Sequence, residues 1–118
     1  MKINELIDIQ DLRSRLENDL DLLKELSQVF FTDYNKLLQR IDNAIKTKDT
    51  VQLIKSAHTI KGAVANFSAK IAYEASLRLE NIGKSGNIEN ADQAFSDLKE
   101  IIEETRTALQ LMIDKGEW

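Results

Sequence analysis

The chain has 118 residues, 42% of them hydrophobic and 31% charged, enough apolar material for one core and too much for a disordered chain. Sixteen basic residues against twenty acidic ones give a net charge of −4, and their scatter argues against a nucleic-acid backbone as partner. With no Cys, disulfides, thiolate metal sites and a cysteine nucleophile are excluded, and no apolar run approaches the roughly 18 residues of a membrane span.

One domain over residues 1–118 is therefore expected, with no membrane contact and a cytoplasmic location. Pro is absent, Gly occurs four times and aromatic residues make up 6%, a composition that favours long helices over strands. A short helix is predicted from Ile9 to about Leu16, capped by Asp8. From Asp19 to Ala44 or Lys46, Leu20, Leu23, Leu26, Phe30, Leu37, Ile41 and Ala44 recur at the period of an amphipathic helix.

Asp49 with Gln52 three residues on resembles a capping box and opens the next helix, whose core stripe is Leu53, Ala57, Ile60, Val64 and Phe67. Ser68 is predicted to cap a fourth helix from Ala69 to about Ile82, stopped by Gly83-Lys84-Ser85-Gly86-Asn87. Asn90, with Gln93 three positions later, caps the last. That helix turns Phe95, Leu98, Ile102, Leu109 and Met112 inward, holds Ile101 near the margin and frays toward Lys115 and Gly116. Long helices joined by short loops predict an all-α, antiparallel up-down-up-down four-helix bundle over about residues 19–113 with a short extra N-terminal helix.

The segment Ser56-Ala57-His58-Thr59-Ile60-Lys61-Gly62 is the chemically informative one. At about 100° per residue, His58 projects roughly 140° from the centre of its helix's core stripe, so its imidazole is expected in solvent. Lys61 and Gly62, at i+3 and i+4, fall on the same side, with Ile54, Lys55 and Ala65 completing that surface. A mid-helix Gly costs about 1 kcal/mol relative to Ala, and core packing gives no reason for one on an exposed face. Clearance beside the imidazole does. An exposed neutral imidazole is a nucleophile near pH 7, suited to attack an aspartyl phosphate in line. Lys61 would offset the charge of the phosphoryl oxygens, and Gly62 would let a partner approach the backbone.

Ala57-His58-Thr59-Ile60-Lys61-Gly62 resembles the motif of the histidine phosphotransfer (HPt) domains of two-component phosphorelays, Ala followed by His-x-x-Lys-Gly. The Leu- and Phe-rich helix before the motif, the Asp49 cap, the Leu79-Glu80 pair and the final amphipathic helix extend the similarity over most of the chain. The resemblance implies a phosphocarrier with no ATP site of its own, His58 as phosphoacceptor, Lys61 as charge-balancing neighbour and Gly62 as clearance residue. Its implied partners are receiver domains, which would supply Mg²⁺, while the chain itself holds no cofactor or metal. Glu80 and Lys84 match positions that lie beside the histidine in some relatives and, with Ile54, Lys55 and Ala65, form the expected docking surface. The family often has Gly where this chain has Ser68, so the turn there is expected to differ.

Three functions remain open on these residues. The chain is a relay carrier, free-standing or at the C-terminus of a hybrid kinase; the substrate domain of a chemotaxis-type kinase; or a bundle that docks on a receiver without accepting phosphate. For His58 and Lys61 the plain alternative is solvated surface; for Ile54 and Ala65 it is the margin of the core. A monomer is expected because a bundle of this length buries its own stripes.

Overall fold

Helix follows helix along the chain: α1 (Ile3–Leu6), α2 (Ile9–Arg15), α3 (Leu20–Lys46), α4 (Thr50–Ala65), α5 (Lys70–Ser85) and α6 (Ala91–Lys115). A computed structural model describes residues 1–116 and 118 of the chain, and among these there is no strand. The four long helices close on one another in a ring of neighbours, α3 on α4, α4 on α5, α5 on α6 and α6 on α3, in a body of 43 × 23 × 19 Å. Their inner faces carry Leu23, Phe30, Ile41, Leu53, Ile60, Val64, Leu79, Leu98, Ile102 and Leu109, all 4% exposed or less. Burying these apolar faces is what holds the bundle together.

Three helix caps form as the local sequence dictates. Asp8, Asp19 and Asp49 each accept a hydrogen bond from the backbone N–H three residues on, which satisfies a donor the helix itself leaves free. Elsewhere the structure corrects the sequence reading. The N-terminal region holds two short helices, because α1 precedes the expected one, and Leu6 and Ile7 bury there.

Ser68 does not cap α5. Ala69 occupies that position without a side-chain bond, while Ser68 adopts φ +54° in the turn out of α4 and its hydroxyl donates to Asp11 of α2. A left-handed φ is the conformation for which glycine carries no steric penalty; here serine adopts it and its hydroxyl gains a partner. Gly83 does not stop α5 either. The helix runs on to Ser85 and ends at Gly86, whose φ of +77° makes it the left-handed cap. Asn90 flanks α6 but makes no capping bond, and Gln93 donates to Asp97 instead. Phe95 and Leu26 are half-buried at the margin of the core.

Candidate functional site

His58 sits at the middle of α4, which turns Leu53, Ala57, Ile60 and Val64 into the core at 0% exposure. Opposite that stripe the His58 side chain is 68% exposed, as the helical wheel predicts. Gly62, one turn on, is exposed, and beyond its own helix backbone a Cβ built on it meets no heavy atom of the described residues within 4 Å. The imidazole therefore stands beside bare backbone.

The exposed ring is anchored from below. Glu80 of α5 is 3% exposed, and its Oε2 lies 2.8 Å from His58 Nδ1. Its other oxygen, Oε1, accepts a 2.6 Å hydrogen bond from Lys61 Nζ. Lys84, four residues along α5, places its ammonium 3.8 Å from Oε2. The Lys61 bond is the main reason that the Glu80 carboxyl titrates below the usual carboxylate range; burial pulls the other way, and the His58 bond and the charges of Lys61 and Lys84 add to the lowering. The same bond to Glu80 raises Lys61 above the usual lysine value. An ionised carboxylate only accepts, so Nδ1 carries the proton and donates, and the lone pair of the neutral ring lies on Nε2, on the side away from Glu80.

The two lysines differ in freedom. Lys61 is 16% exposed, bonded to Glu80 and set 5.8 Å from the centre of the Tyr73 ring, whereas Lys84 is 58% exposed and loosely held. Lys61 is thus tied to Glu80 at short range, whereas Lys84 extends into solvent beside it.

The expected docking surface divides between the two flanks of α4. Ile54, Lys61 and Ala65 turn toward the α5 flank: Ile54 is half-buried against Gly83, and Ala65 is half-buried with its carbonyl accepting from Arg15. Glu80 lies beneath the imidazole instead of on the surface. Lys55 and Lys84 are exposed. On the other flank, beside Gly62, a groove of about 500 Å³ runs between α3 and α4 over Leu26, Val29, Phe30, Leu37, Thr59 and Ala63, with Asp33, Lys36 and Arg40 on its α3 wall. Val29, 61% exposed, is its uncovered apolar residue. Sequence reasoning missed this groove, although Val29 falling outside the α3 stripe was a signal for it.

A family model described as the Hpt domain matches residues 25–108, a span that includes α4 and α5 complete. In three dimensions the chain is similar to the crystal structure of histidine-containing phosphotransfer protein B from Pseudomonas aeruginosa, with a TM-score of 0.86 at 21% identity over 93% of this chain and 96% of that one. No curated protein matches the chain in sequence.

Proposed function

Because the chain belongs to the Hpt domain family, the histidine phosphotransfer modules of phosphorelays, we propose that His58 is its phosphoacceptor and that Nε2 is the reacting atom. The observation that carries this reading is the exposed imidazole held through Nδ1 by a buried, ionised carboxylate. Fixing the proton on Nδ1 leaves the Nε2 lone pair directed into solvent, where a partner's acyl phosphate can meet it.

In the forward step, the Nε2–P bond forms as the P–O bond to the receiver aspartate breaks, and the aspartate leaves as a carboxylate. The ring, substituted at Nε2 and still protonated at Nδ1, then carries a positive charge. Glu80 beneath it offsets that charge without any proton having to move. Lys61 keeps Glu80 ionised and in place, and Lys84 reaches the phosphoryl oxygens. Return of the phosphoryl group to a second receiver reverses these changes. Mg²⁺ belongs to the receiver, since the aspartate it serves is there.

The receiver would seat on the α3 flank of α4, over Gly62 and into the adjoining groove, because Glu80, Lys61 and Lys84 occupy the α5 flank. The working unit is a monomer, with one carrier histidine per chain. The test is to mix the purified chain with a phosphorylated receiver and Mg²⁺. An acid-labile, alkali-stable phosphate should appear on the chain and be lost in His58→Gln with helical content intact; labelling retained in that variant overturns the assignment.

A further inference from the structure

Gly83 is a helix-interior glycine whose backbone is helical, and Gly86 three residues later makes the left-handed turn that ends α5. An interior Gly costs about 1 kcal/mol relative to Ala, and neither helix termination nor an unusual φ calls for it here. The reason lies across the interface. A Cβ on Gly83 would lie 2.8 Å from Ile54 Cγ1, closer than such atoms approach, and 3.5 Å from both the Ile54 backbone nitrogen and Leu53 Cγ. At this point α5 comes directly against α4.

The crossing is one turn from the candidate site on both helices. Ile54 precedes His58 by four residues and Gly83 follows Glu80 by three, so the Ile54–Gly83 and His58–Glu80 pairs stack along the same two facing ridges. The Lys61–Tyr73 pair continues the series with the numbers running in opposite directions, which makes the two helices antiparallel. Separating α4 and α5 at Gly83 would withdraw Glu80 from the imidazole, because a rigid helix carries the displacement to its neighbouring turn.

Resting on the reading of His58 given above, we propose that Gly83 is a positioning residue: by lacking a Cβ it sets the α4–α5 distance at which Glu80 reaches His58 Nδ1 and thereby fixes the tautomer that frees Nε2. It touches neither the imidazole nor a partner. Its effect passes through Glu80.

The tautomer of the unphosphorylated full chain, read from the ring nitrogens in long-range ¹H–¹⁵N spectra at a pH where His58 is neutral, tests this without any transfer reaction. In Gly83→Ala the ratio of Nδ1–H to Nε2–H should fall about tenfold or more, the worth of one charge-assisted hydrogen bond. Adding Ile54→Ala should restore it, since the two neighbours that stay, the residue 54 backbone nitrogen and Leu53 Cγ at 3.5 Å, are in ordinary van der Waals contact with the new Cβ. A substitution that merely loosened the bundle would leave the tautomer of the folded molecules unchanged.

A folded Gly83→Ala protein with the native tautomer overturns the proposal, as does a double variant that stays unfolded or fails to recover the ratio. Should the single variant not fold, a folded double variant with the native tautomer supports it. Native tautomer behaviour together with no phosphotransfer from any receiver would instead count against the carrier reading alone.

Discussion

His58 Nδ1 and Glu80 Oε2 lie 2.8 Å apart, although the imidazole is 68% exposed and the glutamate 3% exposed. The exposed ring is thus oriented from the protein interior while its far nitrogen stays in water. Glu80→Gln keeps a carbonyl that accepts from Nδ1–H but removes the charge under the ring, and it should slow single-turnover phosphotransfer about tenfold. Glu80→Ala should slow it further and cost about 2 kcal/mol of stability, because the shielded Lys61 ammonium loses its partner. Unchanged transfer rates in both variants would remove Glu80 from the mechanism.

The lowered pKa of Glu80 makes its contribution to stability pH-dependent with a definite sign. A carboxyl that titrates lower in the folded chain than in the unfolded one stabilises the fold fully above the unfolded value of about 4.3, and the contribution is lost as pH falls through the folded value. Urea unfolding of the native chain and Glu80→Gln should therefore differ most near neutral pH and converge as the solution is acidified below about pH 4. A difference that widens in acid would contradict the ion-pair assignment.

Three glycines on two helices should respond in three ways. Gly62→Ala meets no atom and gains helix propensity, so it should raise stability by about 1 kcal/mol while slowing transfer, because the added methyl intrudes on the partner's approach. Gly86→Ala should lower stability by about 1 kcal/mol through its left-handed φ and leave transfer intact. Thermal unfolding alongside a transfer assay separates these from the loss of tautomer control expected at Gly83. A Gly62→Ala protein that transfers normally would show that the clearance is idle.

Ser27 and Ser56 bury hydroxyls that have no hydrogen-bond partner among the described residues, at 0% and 4% exposure. Replacing either with Ala removes an unsatisfied polar group and should raise the unfolding free energy by about 1 kcal/mol. A lower urea midpoint for Ser27→Ala would mean that the hydroxyl is satisfied in solution.

The parts of this architecture visible in the sequence are those written into a single helix. The stripe of Leu53, Ala57, Ile60 and Val64 fixes which way His58 points, and the aspartates at 8, 19 and 49 mark helix starts by a bond to the third residue on. What passes between helices is not written locally. Glu80 is 22 residues from His58, and its burial depends on the α4–α5 crossing, so similarity to relatives places it near the histidine without saying that it lies underneath.

Gly83 and Gly86 look alike as helix-stopping residues, yet one is a packing contact and the other a turn. Ser68 reads as a cap because its hydroxyl has the right chemistry, but α2, distant in sequence, supplies the partner it takes. The four residues of α1 are too few to display a period, and packing against α5 and α6 holds them.

The assignment of the phosphoryl group to the solvent-facing nitrogen of one imidazole is tested by ¹⁵N NMR of the chain after phosphorylation by a receiver. Coupling of phosphorus to Nε2 of His58 is expected, with a proton retained on Nδ1. A phosphate on Nδ1, or an imidazole left unmodified in a chain that has taken up phosphate, would contradict it.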